Sequence, residues 1–413
     1  MRTASCRALR APAVALFCLA LVGASACNDD EGGGLSPEVP APFATDVPEA
    51  PAGAYALAWD GVSEPQPVVD EPLPRGYSVE TVVTGLSDPV GLAFLPDGRV
   101  LVGEQHAGRI RVIEDGALLD EPFATIENVA PRPLELGLIG IAVDPQFAEN
   151  HWVYAFYVEV DNRDRPQRAV LLRLTERDGL GVEPEEIAVL PATATDKHNG
   201  GGLKFGPDGK LYLSIGDTDR AEQADDPSEA TGKILRMNRD GSTPPDNPLV
   251  NQPDADDRVF AYGFRNLVGF AFHPDLPGRL IATDNGITGF DEINVVRPGG
   301  RYGWPHVLAF SDNAAYEDPV WTYLRSIAPA GMEVYTDDVL SEFTGDVFFC
   351  QFLGAALHRL RFSEDFQRID SDTVIATGCA TGIAQGPDGL LYFLDLDPDD
   401  PDGGRLSRIT GPP

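Results

Sequence analysis

From Gly85 onward the apolar runs are short, four to six residues, and they close on tight turns. Gly85-Leu-Ser-Asp-Pro-Val-Gly-Leu-Ala-Phe-Leu-Pro96-Asp97-Gly98-Arg-Val-Leu-Val reads as strand, turn, strand. Proline presets φ in such a turn, and glycine takes the position that needs a positive φ. The phrase returns at Ile141-Ala-Val-Asp-Pro145, Leu203-Lys-Phe-Gly-Pro207-Asp-Gly, Phe270-Ala-Phe-His-Pro274-Asp and Ile383-Ala-Gln-Gly-Pro387-Asp-Gly. The interval from Pro274 to Pro387 is nearly twice the others, and a degenerate sixth copy, Thr344-Gly-Asp-Val-Phe-Phe, falls inside it. Six hairpin units leave more chain per unit than the ~40 to 50 residues of compact propeller repeats, as blades with long loops require. The pattern predicts an all-β chain folded as a six-bladed β-propeller of four-stranded antiparallel blades. A sandwich or β-helix would need shorter and more even spacing. Closing the ring removes exposed strand edges and leaves the loop face and central channel for a site.

The N-terminal part follows another rule. Arg2, Arg7 and Arg10 precede an apolar stretch from Ala11 to Gly23, too short for a membrane span but suited to a signal peptide over residues 1–26. Ala24-Ser25-Ala26 is a small-x-small cleavage site, and Cys27 follows it. Cleavage there gives either an ordinary secreted chain or a lipoprotein diacylated on Cys27, periplasmic or at the outer surface, whose only membrane contact is its lipid. Residues 27–74, rich in Asp, Glu, Gly and Pro, read as a solvated tether. Residues 75–413 hold the propeller. Cys350 and Cys379 are the other cysteines left after cleavage. In an oxidising compartment they form one disulfide; otherwise they are two buried thiols.

Composition narrows the function. The 413 residues carry 31 basic and 65 acidic side chains, a formal charge of -34. A nucleic-acid backbone would meet repulsion, so nucleic acid is excluded as a partner. The six histidines show no zinc spacing, and there is no Cys-x-x-Cys. Neither a Gly-x-Ser-x-Gly elbow nor a phosphate or dinucleotide loop is present.

Several phrases, in order along the chain, carry a resemblance. His198-Asn-Gly-Gly-Gly-Leu-Lys-Phe, Ile215-Gly-Asp217, Gly232-Lys-Ile-Leu-Arg-Met-Asn-Arg-Asp-Gly-Ser, Tyr262-Gly-Phe-Arg265-Asn266, Asp291-Glu-Ile-Asn, Tyr302-Gly-Trp-Pro and Ser326-Ile-Ala-Pro-Ala-Gly-Met resemble the soluble glucose/sorbosone dehydrogenases. These are six-bladed propellers that use pyrroloquinoline quinone (PQQ) and calcium to oxidise a sugar hydroxyl. Such chemistry needs a base, a Lewis acid on the quinone carbonyl and cations for a tricarboxylate cofactor. By the resemblance His198 is the base and Asp217 the acid that orients it. Glu135, where the family has glutamine, together with Arg265 and Asn266, contacts the cofactor. Gly286 and Ile287 offer carbonyl oxygens to Ca2+. Without the resemblance, His198 is a loop histidine and Asp284-Asn-Gly-Ile an acidic turn.

The departures concern the other end of the cofactor. The acidic residue before the base is Lys197 here. The family lysine and two arginines that grip the carboxylates fall on Leu353, Cys379 and Thr381, so tight PQQ binding is not expected unless Lys197 or Arg325 substitutes. Cys350 and Cys379 are then expected at strand ends beside the pocket, bridged and with Cα atoms within about 7 Å. The leading reading is a PQQ-dependent aldose dehydrogenase with a sugar or other small molecule as substrate and an unassigned electron acceptor. Its alternatives are a non-catalytic propeller that binds carbohydrate or protein, and a calcium-dependent, lactonase-like hydrolase.

Overall fold

The computed structural model describes residues 69–131, 135–193, 195–397 and 399–412. The expected signal peptide, Cys27 and nearly all of the expected tether lie outside the described residues.

Six sheets follow one another along the chain. Blade 1 is built from Pro89–Phe94, Val100–Glu104 and Arg109–Glu114, with a split outer strand, Ala117–Leu118 and Ala124–Thr125. Blade 2 comprises Leu138–Val143, Trp152–Val160, Pro166–Arg177 and Leu180–Pro191. Blade 3 comprises Leu203–Phe205, Leu211–Ile215, Lys233–Met237 and Val259–Tyr262. Blade 4 runs through Phe270–Ala271, Leu280–Asp284, Asp291–Val296 and Trp321–Tyr323, and blade 5 through Pro329–Val334, Val347–Gln351, Ala356–Phe362 and Ile369–Thr377. Blade 6 takes three strands from the C-terminal part, Ile383–Gln385, Leu391–Asp395 and Gly404–Thr410, and its fourth from the other end of the domain, Ser78–Leu86. That strand pairs antiparallel from Ser78↔Thr410 to Leu86↔Gly404 and closes the ring. Closure leaves few free edges, and the outer edge of blade 5 is covered by Val69–Asp70, paired in parallel at Val69↔Thr373. The sequence stretch assigned to the tether therefore ends in a strand of the propeller.

In four blades the repeat glycine has a steric cause. A Cβ on Gly140 would stand 2.5 Å from the Gly201 carbonyl, one on Gly202 2.6 Å from Val268 O, one on Gly269 1.9 Å from Ala330 O, and one on Gly331 2.5 Å from Thr381 O. Innermost strands of neighbouring blades thus pack backbone against backbone, which only glycine permits. This ring corrects the assignment of the sixth repeat. The innermost strand of blade 5 carries Gly331-Met-Glu-Val-Tyr, whereas Thr344-Gly-Asp-Val-Phe-Phe leads into the second strand. Between blades, apolar layers such as Tyr154, Phe156, Leu213 and Leu235 are fully buried, at ~25 cal/mol for each Å² removed from water.

Strand direction decides where chemistry can sit. The Pro-Asp-Gly turns join first to second strands, with Gly98, Gly209 and Gly389 at positive φ, and occupy one face of the ring. Each innermost strand begins, and each second strand ends, on the opposite face. His198, Arg265, Asp217 and Asp284 stand at those starts and ends and so share that opposite face.

Candidate active site

His198 opens the loop that enters the innermost strand of blade 3. Its backbone is left-handed, with φ 58°. Gly200 follows with so little room that a Cβ would lie 2.6 Å from Ser214 O. The residue is 7% exposed, and Nδ1 lies 2.7 Å from Oδ1 of Asp217, which follows the second strand of the same blade. Asp217 is held in turn: its backbone N–H donates to Arg265 O at 2.7 Å, and its Oδ2 accepts from Trp304 Nε1 at 2.8 Å. Trp304 arrives from blade 4, on the long connection over residues 297–320. That connection climbs the edge of blade 3 through a parallel bridge between Tyr262 and Arg301 and is pinned by Arg301 on Asp225 and by Tyr302 stacked on Phe264. With Nδ1 engaged by a carboxylate, Nε2 is the nitrogen left to accept a proton. Asp219 places a second carboxylate oxygen 3.6 Å from Nδ1.

Around this dyad the predicted residues converge. Oε2 of Glu135 accepts the backbone N–H of His198 and, at 3.2 Å, Nδ2 of Asn266. Burial pushes the Glu135 carboxyl above the ordinary carboxylate range, against the opposing pull of His198, Arg265 and Lys197. Arg265 and Asn266 are fixed from beneath, since their backbone N–H groups donate to the two oxygens of Asp284 at 2.9 and 2.7 Å. Burial pushes that buried carboxyl up to about 7, although the two N–H donors favour its charged form. Asn199 keeps Oδ1 buried with no hydrogen-bond partner among the described residues.

One of the carbonyl oxygens that the resemblance assigns to Ca2+ has a protein partner close by. Arg265 Nη1 donates to the carbonyl of Asn285 at 2.9 Å and to that of Gly286 at 2.6 Å. A guanidinium therefore stands at the Gly286 oxygen that the resemblance assigns to Ca2+, and its charge opposes a second cation there. The loop itself is well held, because Asp291 accepts the N–H groups of Gly286, Ile327 and Ala328 at 2.7 to 2.9 Å. A cavity of about 10 Å³ behind Arg265 and Trp304, lined by Asp284, Glu292 and Tyr302, is no larger than one water needs.

Glu292 lies opposite Asp284 in the blade 4 register. Burial, with Asp284 adding repulsion, pushes its carboxyl from 4.5 up to about 8. Between those values the unfolded chain sheds a proton that the folded one keeps, so stability falls as pH rises through the window and levels off above it. Glu292→Gln is expected to flatten this slope. Thermal midpoints measured in chelator from about pH 5 to pH 9 test it, and a slope as steep as the wild type's would refute it.

The positions that the resemblance assigns to cofactor cations carry no charge. Leu353 is 39% exposed and Thr381 gives its hydroxyl to Pro89 O at 2.7 Å. Cys350 and Cys379 form a buried disulfide with Cα atoms 4.8 Å apart. Cations of this sector are engaged: Arg405 with Asp395, and Arg109 and Arg111 with the buried Glu104. Lys197 and Arg325 make no ion pair among the described residues. Trp304 and Asp219 were not assigned roles from sequence; the Tyr302-Gly-Trp-Pro phrase and the Asp217-x-Asp219 spacing were their only signals.

Ring and site together define a six-bladed propeller with a histidine–aspartate dyad on its loop face, the architecture of a soluble sugar dehydrogenase. The chain belongs to the Glucose / Sorbosone dehydrogenase family, which matches residues 86–408. It is 33% identical to the Synechocystis uncharacterized protein slr1608, over 79% of this chain and 85% of that one. It is 27% identical to the aldose sugar dehydrogenase YliI of Escherichia coli, over 82% and 94%. The PQQ-bound aldose sugar dehydrogenase of Streptomyces coelicolor superposes with a TM-score of 0.68 at 27% identity, covering 82% of this chain and 99% of that one.

Proposed function

We propose that the chain oxidises a hydroxyl group of an aldose, with His198 as general base and an ortho-quinone as oxidant. The observation that carries this reading is the buried relay from Trp304 through Asp217 to His198, which engages Nδ1 and leaves Nε2 as the nitrogen to accept a proton. His198 Nε2 takes the hydroxyl proton. Asp217 stabilises the imidazolium that results, and Trp304 keeps Asp217 from turning away. Glu135 and Asn266 hold the histidine loop in register. A quinone, when bound, supplies the acceptor for the hydrogen and two electrons that leave the sugar carbon.

The residues present fit the reacting half of such a ring and not the three carboxylates of PQQ. Weak cofactor binding follows, and Ca2+ joins the site only if Arg265 leaves the Asn285 and Gly286 carbonyls. Titration of purified apoprotein with PQQ and Ca2+, read by cofactor absorbance and by dye reduction with a panel of aldoses, tests the reading. Dye reduction at high quinone concentration is expected. None at any concentration would favour the second reading, a carbohydrate- or protein-binding propeller, for which the disulfide and Leu353 in place of cationic anchors are the specific support.

A further inference from the structure

Asp219 is not needed to orient His198, since Asp217 already does so at 2.7 Å. Yet the loop is arranged to bring it there. Its Oδ2 accepts the Thr195 hydroxyl, its N–H donates to Asp217 Oδ1 at 2.9 Å, and its Oδ1 is left facing Nδ1. The imidazole nitrogen and one oxygen from each carboxylate lie within 4.8 Å of one another. Ligand atoms held at ~2.0 to 2.2 Å from one tetrahedral ion sit about 3.3 to 3.6 Å apart, so Asp219 at 3.6 Å from Nδ1 already has that spacing and Asp217 at 2.7 Å must open by less than about 1 Å. Trp304 and Thr195 bond the oxygens turned outward, as outer partners of metal-ligating carboxylates do. The Asp219 side chain is 31% exposed, which gives an ion a way in. Asn199, beside His198, holds a buried Oδ1 still without a partner among the described residues.

We propose that His198 Nδ1, Asp217 and Asp219 bind one divalent transition ion of the Zn2+ class, and that its presence switches off the base. A mixed nitrogen and carboxylate set suits such an ion better than Ca2+, which takes oxygen ligands. The switch is a matter of tautomers. An ion on Nδ1 takes that nitrogen's lone pair, so the proton it carried moves to Nε2. The imidazole stays neutral, but Nε2 now donates and has no lone pair for the sugar's proton. The binding half of the proposal is independent of the dehydrogenase reading; the switching half rests on it.

Calorimetric titration of the chelator-treated full chain with ZnCl2, without quinone or sugar, tests the binding. One ion per chain is expected, with affinity lowered at least about 100-fold in Asp219→Asn, since a lost ligand costs no less than the ~10- to 100-fold of a lost outer partner. His198→Ala should lose binding altogether, and millimolar Ca2+ should not compete. Because Asp219 is partly exposed, Asp219→Asn keeps the test valid even if His198→Ala does not fold. Substoichiometric binding, or equal affinity in Asp219→Asn and wild type, overturns the site. Full dye reduction by the zinc-loaded protein overturns the switch while leaving both the site and the dehydrogenase reading standing.

Discussion

Replacing His198 with alanine is expected to lower quinone-dependent turnover by about 100- to 10,000-fold, the range for loss of a positioned general base. The fold should survive, because the imidazole sits on a loop and its bonded neighbour Asp217 keeps the Trp304 indole and the Asp219 N–H as donors. Alanine is poorly suited to a φ of 58°, at a cost on the order of 1 kcal/mol. His198→Asn is therefore the better companion, since asparagine tolerates the left-handed region and cannot act as a base near neutral pH. Both variants should retain the wild-type circular dichroism spectrum and quinone affinity. Equal loss of kcat in the two variants, with binding kept, identifies the missing base. Unchanged turnover would remove His198 from the chemistry, and loss of binding without loss of kcat would make it a ligand contact instead.

How much of this was legible in the sequence depends on whether the cause was local. The repeated turn was, because proline, aspartate and glycine at Pro96–Gly98 and Pro207–Gly209 act within four residues. Blade 5 has Tyr335-Thr-Asp in place of the proline turn, so its innermost strand lacks the local signal that marks the others, and the Gly-Asp before the second strand resembles the missing turn instead. The inter-blade contact marks the true position by Gly331, whose requirement comes from Thr381 on the next blade. Ring closure by Ser78–Leu86 was hidden for the same reason, since its partner is at the other end of the domain. At the site, the sequence phrases point to His198, Asp217, Glu135, Arg265 and Asn266, and these residues meet in space. Trp304 reaches Asp217 from 87 residues away, a contact no spacing rule contains. The direction of the Gly286 carbonyl, turned to Arg265, is a backbone property that side-chain identity does not encode.

Restoring the missing anchors should have the second large effect. Leu353→Lys places an ammonium where an exposed apolar side chain now stands, and Thr381→Arg adds a guanidinium beside the Cys350–Cys379 bridge, which remains intact. Each charge-assisted contact to a carboxylate is worth ~1.5 to 3 kcal/mol, or about 10- to 100-fold in PQQ affinity, and the pair together should exceed either alone. Leu353→Lys is the safer variant, because Thr381 caps Pro89 O from a buried position. Salt supplies the control. Blade 6 presents Asp395, Asp397, Asp399, Asp400 and Asp402 on the loop next to this sector, with Arg405 already paired to Asp395. A trianionic ligand is therefore repelled by the wild type, and added salt should leave its binding unchanged or strengthen it. In the double variant attraction should prevail, so the same salt should weaken binding. Fluorescence titrations at low and high ionic strength measure both signs. Tight PQQ binding by the wild type at low salt, or no gain in Leu353→Lys, would show that the carboxylates are held by other residues, and Lys197 and Arg325 would then be the positions to replace.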